Sequence, residues 1–297
     1  MVTNNPTVTD FTATPPRITE WRRFRRVFFS RGIVVFGLVI LILLFVVAIF
    51  AALIAPYDPY LMEGDSLEKP SAAHWMGTDL LGRDVLSRLI YGSRIAIMVG
   101  FLSVILGGII GITLGLTAGF SGNIANMIIM RAMDAMMCFP SFLLVLLLAA
   151  VLGGGIQNVI VALSIGAIPG YARITCGLTL SLKENDYVLA QKSMGAGNWR
   201  VMLRHILPNA FPPLLVVITM QLGGLILAEA GLSFLGVGIK PPTAAWGAMV
   251  SEGREYLMSD PVLSIAPGAA IMLVVFAFNM VGDGLRDALD PRLRGVL

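Results

Sequence analysis

Six long apolar runs divide the sequence, and they restrict its fold more than any other feature. They span residues 32–55, 95–120, 136–152, 159–180, 210–236 and 263–281. A helix of about 20 residues crosses the hydrocarbon core of a bilayer, and the runs reach or approach that length. The chain is 57% hydrophobic and 13% charged, with a mean hydropathy of +0.83, values outside the range of soluble domains. We therefore predict an all-α membrane protein with six transmembrane helices.

The first run, 32–55, predicts a retained transmembrane helix. A cleavable signal peptide has a shorter apolar core near its start, followed by a small-residue cleavage site. Here an arginine-rich segment precedes the run, and APYDPY closes it.

The lysines and arginines predict the orientation, because these residues accumulate on the cytoplasmic side of membrane proteins. With the N-terminus inside, fifteen of the 21 fall on the cytoplasmic side and six outside. Both termini are then cytoplasmic. Residues 1–31 form a basic cytoplasmic segment, 56–94 an extracytoplasmic loop, 95–285 a core of five helices and 286–297 a cytoplasmic tail. The WRRFRR cluster is interpreted as an anchor for anionic lipid rather than a nucleic-acid patch.

Glycine recurs at every fourth residue along part of the second run. The positions are Gly107, Gly111, Gly115 and Gly119. Residues four apart share one helix face, so this spacing predicts a face that another backbone can approach closely. Two interpretations stay open: ordinary helix packing, or a helix that lines or seals a moving pathway.

The segment LAQKSMGAGNWRVMLRHILP, residues 189–208, predicts two short helices at the cytoplasmic membrane face. Asn185 or Asp186 caps the first helix, and Asn198 caps the second, which Pro208 helps to stop. Glycines at 195 and 197 break the chain between them. Each helix mixes apolar and basic side chains, which predicts a docking surface.

Polar residues inside an apolar run are functional candidates, because charge within a membrane is costly. Glu229 and Gln221 in the fifth run are candidates to line a transport cavity, with a partner helix as the alternative for Glu229. Arg131 and Asp134, beside the third run, have the spacing of a surface ion pair.

The stretch HWMGTDLLGRDVLSRLIYGSR, residues 74–94, carries a dense polar pattern just before the second run. Asp79 can cap the helix that follows, and the charges at 83, 84 and 88 are spaced to pair along it. We interpret the stretch as a clamp that holds the outer loop against a partner, with direct substrate contact as the alternative.

These motifs resemble those of permease subunits from ATP-binding cassette importers, specifically the second permease of dipeptide, oligopeptide and nickel systems. The outer stretch matches the pattern G-T-D-x-x-G-R-D-x-x-S-R of that branch. The matching residues are Gly77, Thr78, Asp79, Gly82, Arg83, Asp84, Ser87 and Arg88. Residues 231–247 and 278–294 also look like the family's fifth-loop and C-terminal sequences. The resemblance covers nearly the whole chain and implies the type I importer permease fold.

The resemblance also assigns the cytoplasmic segment as the loop that couples the permease to its ATPases. The family pattern is E-A-A, three residues, G, nine residues, I, one residue, L-P. The positions carried over, with their neighbours, are Leu189, Ala190, Gly195, Ala196, Gly197, Arg200, Arg204, Leu207 and Pro208. Leu189, Gln191 and His205 depart from the pattern, and Leu189 cannot make the contacts of the glutamate it replaces.

The implied partners are a second permease, two ATPase subunits, an extracytoplasmic binding protein and membrane lipid, with no nucleic acid. No G-x-x-x-x-G-K-[ST] motif occurs, so ATP and magnesium are expected on the ATPases, and no cofactor in this chain. His74 and His205 fall on opposite membrane faces, which argues against a metal site. No enzyme activity of the chain itself is expected.

The expected function is ATP-driven import of dipeptides or oligopeptides across a bacterial or archaeal plasma membrane. Nickel chelates and glutathione are alternative substrates of the same architecture. A channel or proton-coupled secondary transporter is the alternative from another class, but such proteins often show inverted repeats, and we find none here.

Overall fold

The computed structural model describes residues 20–289, and its regular secondary structure is helical. The helices are α1 Glu20–Phe28, α2 Gly32–Ile49, α3 Ala51–Ile54, α4 Val85–Phe120, α5 Asn123–Met137, α6 Ser141–Leu152, α7 Ile156–Leu182, α8 Asp186–Ser193, α9 Asn198–Val201, α10 Leu207–Phe234, α11 Trp246–Gly253 and α12 Val262–Leu289. A π-helical turn, Met202–Ile206, joins α9 to α10, and a 3₁₀ turn, Arg254–Tyr256, follows α11. The outermost parts of the predicted cytoplasmic ends, 1–19 and 290–297, lie outside the described residues.

Five helical segments are long and apolar enough to span a membrane, and a bent helix pair brings the number to six if the pair is counted as one span. The pair is α5 and α6, which meet at 87°. The predicted third helix, 136–152, is therefore wrong in its extent, because the chain turns at residues 138–140 and α5 precedes the turn. Pro140 explains the break, since a proline disfavours helical geometry in the residue before it.

Two further helix boundaries differ from the prediction. Helix α4 begins at Val85, ten residues before the predicted start at 95, because the last part of the outer polar stretch, 85–94, is helical. Pro208 does not stop a helix, and the chain runs helically from Asn198 to Phe234. Pro208 follows a π-helical turn, where the α-helical hydrogen-bond pattern is already interrupted, so its missing amide hydrogen is tolerated.

Helices α4 and α7 form the centre of the bundle, and α10, α12 and α2 surround them. Helix α2 packs closely on α12, where a Cβ on Gly37 would lie 3.0 Å from Met280 Cβ. Arg31 at the start of α2 pairs with Asp287 near the end of α12 at 2.6 Å. Both termini of the described bundle are therefore held at the same membrane face.

Candidate functional site

The outer signature folds into the junction between the 56–84 loop and the first turn of α4. Asp84 caps α4, because its Oδ2 accepts hydrogen bonds of 2.7 Å from both the amide and the hydroxyl of Ser87. The predicted cap, Asp79, is wrong: it lies six residues before the helix begins. Asp84 Oδ1 also lies 2.9 Å from Nδ1 of His74.

Two buried arginines connect this junction to α11. Arg83 donates from Nε to Asp79 Oδ2 at 2.7 Å, and Arg88 Nε lies 3.4 Å from the same oxygen. Both arginines also donate from Nη2 to Oε2 of Glu252 at 3.3 Å. Arg83 and Arg88 are 2% and 1% exposed. The signature therefore clamps the outer loop and α11 to α4 within one chain, and its buried arginines are not presented to a substrate.

The signature glycines admit the loop backbone at two points of close approach. Gly77 and Gly82 adopt φ angles of +75° and +73°, which L side chains rarely adopt. A Cβ on Gly82 would lie 2.1 Å from Gly64 O, and one on Gly77 would lie 2.3 Å from Glu68 O. Thr78, fully buried, accepts from the Glu68 amide at 2.9 Å.

The four spaced glycines of α4 lie against α7. A Cβ on Gly107 would lie 2.7 Å from Ser164 O, and one on Gly119 would lie 2.6 Å from Thr179 Cβ. Gly111 and Gly115 meet the intervening turns of α7 at similar distances. Helices α4 and α7 run parallel, and successive glycines of α4 contact successive turns of α7. The glycine face is therefore packed against a helix of the same chain.

The cytoplasmic loop is anchored to the inner end of α4. Val188, Val201 and Ile206 are fully buried and form a small core with Leu116 of α4. Lys192 Nζ lies 4.7 Å from the ring centroid of Phe120, at the end of α4. The loop is therefore joined to α4 by packing and to α10 by a continuous helix.

The outer surface of the loop is exposed. Exposed members of the predicted coupling set are Leu189, Ala190, Gly195, Gly197, Arg200, Arg204 and Pro208, whereas Ala196 and Leu207 are half-buried. The caps differ from the prediction: Asn185 occupies the cap position of α8 without a side-chain hydrogen bond, and Gly197, not Asn198, precedes α9. Gly195 has a φ of +80° and open space where a Cβ would be.

Trp199 and Leu203, the apolar side chains one turn apart, face away from this surface. They line an apolar groove of about 390 Å³ between α4 and α10. On the other side of the loop, a larger cleft of about 1050 Å³ separates α8 from the proline-rich start of α10 and the end of α12.

The two candidate cavity residues have different surroundings. Glu229 is 2% exposed and accepts a hydrogen bond of 2.7 Å from Ser233 Oγ. Ser233 Oγ in turn accepts from the Ile239 amide at 3.0 Å, which fixes the turn after α10. Glu229 is thus enclosed by its own chain and does not line an open cavity. Gln221 is half-buried, with its amide beside Gly170 of α7.

The sequence does not predict one of the polar pairs in the structure, that of Asp134 with Arg173. Asp134 of α5 accepts a hydrogen bond from Nη2 of Arg173 on α7, so the predicted pair of Asp134 with Arg131 is wrong. Arg173 and Asp134 keep 52% and 44% of their side-chain surface exposed. The sequence signal for this pair is an arginine inside the apolar run 159–180.

Comparison with known families identifies two matching regions. The family model "Binding-protein-dependent transport system inner membrane component" matches residues 111–295. The model "N-terminal TM domain of oligopeptide transport permease C" matches residues 19–72. The first model alone covers more than half of the chain.

Curated relatives extend the similarity along nearly the full length. The glutathione transport system permease protein GsiD of Pectobacterium atrosepticum is 43% identical, covering 93% of this chain and 92% of that protein. GsiD of Escherichia coli O6:K15:H31 is 45% identical, covering 93% and 90%.

A solved structure shares the fold. One chain of the MetNI methionine ABC transporter, in inward-facing conformations, superposes with a TM-score of 0.57 at 21% identity. The superposition covers 69% of this chain and 97% of that chain. The chain thus has the type I importer permease fold and is a multi-pass protein of the bacterial inner membrane. It belongs to the family of binding-protein-dependent transport system inner membrane components.

Proposed function

We propose that this permease, paired with a second permease, forms the pathway by which short peptides enter the cell. Glutathione is itself a tripeptide, and the curated relatives are named as glutathione permeases. Their 43% and 45% identity over nearly the whole chain is the observation that carries the proposal. A nickel chelate has no comparable support among these relatives.

The energy comes from ATP hydrolysed by separate subunits, which dock on the exposed face of α8 and α9. The loop also exposes the apolar Leu189 and the basic side chains Arg200 and Arg204. ATP and magnesium stay on the ATPases, and an extracytoplasmic binding protein delivers the substrate. The permease needs no cofactor for this role.

Alternating access follows from the attachment of the loop. The buried contacts of Val188 and Val201 with Leu116 join the loop to α4, and the π-helical turn joins it to α10. When the two ATPases close on ATP, the ATPase docked on this chain moves the cytoplasmic loop. The loop then tilts α4 and α10. The ATPase shifts the permease between inward-open and outward-open states only through contacts that differ between those states.

The test uses the complete complex, the chain with its co-encoded partners, in liposomes. Glutathione, a dipeptide mixture and chelated nickel are offered separately with the binding protein, and uptake and ATP hydrolysis are measured. Glutathione or dipeptide uptake that requires ATP supports the proposal. Uptake of nickel alone would contradict the proposed peptide substrate. Uptake driven by a proton gradient without ATP would contradict the ATP-driven mechanism.

A further inference from the structure

Arg173 lies on α7, a helix that is long and apolar enough to span a membrane. Lys183 Nζ donates to Gly119 O at 3.2 Å, which places the inner ends of α7 and α4 at one level. Arg173 precedes Lys183 by ten residues, which corresponds to about 15 Å of helix. Gly115 of α4 meets Ala172 and Thr175, the neighbours of Arg173 on α7, at the same depth. The guanidinium therefore leaves the helix at the depth of the hydrocarbon.

An exposed ion pair at this depth does not face lipid. Charged side chains inside membrane proteins face a bundle interior or a water-filled cavity, since hydrocarbon cannot solvate them. The interior of this chain's own bundle is excluded here, because about half of each side chain is open in the single chain. By contrast, Leu43 of α2 and Ile109 of α4, 61% and 62% exposed, are apolar, as lipid contact requires.

The surface beside Arg173 is open. Gly170 and Gly177 lie one turn on either side of it along the same face of α7. A Cβ on Gly177 would meet nothing within 4 Å, and one on Gly170 would meet only the Gln221 amide, at 3.9 Å. Gln221 and the pair of Arg173 with Asp134 thus lie along this face of α7, with space beside the guanidinium.

We propose that Arg173, oriented by Asp134, lines the aqueous pathway and binds the carboxylate of a peptide substrate. This rests on the proposed function. A guanidinium has five N–H donors in a planar fork, which matches a carboxylate with two parallel hydrogen bonds. Asp134 uses only Nη2, so donors remain for the substrate. Asp134 neutralises the charge of Arg173 while the pathway is empty. It also weakens the binding of Arg173 to the substrate carboxylate, so that the substrate can be released.

The first test compares a dipeptide with the same dipeptide bearing a C-terminal amide. Arg173→Gln should reduce uptake of the free acid about tenfold or more relative to the amide, because a charge-assisted pair is lost. Arg173→Lys should recover part of the preference, since it restores charge without the planar fork. Arg131→Gln, an exposed arginine on α5 that makes no ion pair among residues 20–289, is the control and should keep the wild-type ratio.

An unchanged acid-to-amide ratio in Arg173→Gln overturns the carboxylate site while leaving peptide import intact. Failure of the wild-type complex to import glutathione or either dipeptide overturns the proposed function instead. The two failures are therefore distinguishable.

The second test measures water access in the assembled complex. In a Cys138→Ser background, which removes an exposed native thiol, Arg173→Cys and Leu43→Cys are treated with a membrane-impermeant thiosulfonate. Arg173→Cys should be labelled and protected by substrate, whereas Leu43→Cys should stay unlabelled. Equal labelling of the two positions overturns the pathway assignment.

Discussion

Arg83 donates a hydrogen bond of 3.3 Å to Glu252, although 169 residues separate the two in the sequence. Arg88 donates to the same carboxylate oxygen. Glu252 on α11 and Asp79 together balance two arginines that have almost no contact with water. Removing Glu252 leaves Asp79 as the one carboxylate that pairs with both buried arginines, and breaking a buried ion pair in this way is strongly destabilising.

Glu252→Ala should lower stability by about 2 to 3 kcal/mol, with a clear fall in the unfolding temperature of the purified protein in detergent. Glu255→Ala, three residues away on an exposed position, is the matched control and should change the temperature little. Equal unfolding temperatures for the two variants would show that the clamp does not contribute to stability.

Gly115→Ala should destabilise the α4–α7 contact by about 1 to 3 kcal/mol, because the added methyl group overlaps packed atoms. The new Cβ would lie 2.4 Å from Ala172 O and 2.7 Å from Thr175 Cβ. Gly108→Ala is the control, since a Cβ there meets nothing within 4 Å. Thermal unfolding of both variants checks this, and a stable Gly115→Ala would contradict the close helix contact.

Gly195→Leu should permit insertion but uncouple ATP hydrolysis from transport. The left-handed backbone at φ +80°, rather than lack of space, makes the glycine necessary. Gly195→Asn should retain coupling, because asparagine tolerates this conformation. The measurement is stimulation of ATP hydrolysis by the loaded binding protein.

Gly122→Leu serves as the control for backbone strain outside the coupling loop. Gly122 has a φ of +90° and open space around its Cα, and it lies at the turn between α4 and α5. This variant should remain coupled. Loss of coupling in both leucine variants would mean that strain alone, and not the position of the loop, explains the Gly195 result.

Glu229→Gln should preserve assembly and transport, because the amide oxygen can still accept the hydrogen bond from Ser233. Glu229→Leu should destabilise the outer end of α10 by about 1 to 2 kcal/mol, since that acceptor is lost in a buried site. Unfolding temperature and peptide uptake are measured together. Transport that fails in a stably folded Glu229→Gln would return this carboxylate to a direct transport role.

Much of the bundle follows from hydrophobicity alone, because the runs of apolar residues fix which segments can cross a membrane. Hydrophobicity predicts too late a start for α4, because the buried polar residues in its first turns have the composition of a loop. Asp79 and Asp84 both precede that helix, and only the structure shows which one caps it. The pairing of Asp134 with Arg173 could not be predicted from the sequence either, because Arg131 precedes Asp134 by three residues, the spacing at which side chains pair on a helix.

The outer clamp also has a consequence for recombination between related permeases. It unites the loop before α4, the first turns of α4, and α11, three segments that are far apart in the sequence. A chimera with its crossover between residues 95 and 245 takes the arginines from one parent and the α11 glutamate from the other. A graft of the outer loop should therefore include α11. The segments to exchange together are those that contact one another in the fold, not those that are adjacent in the sequence.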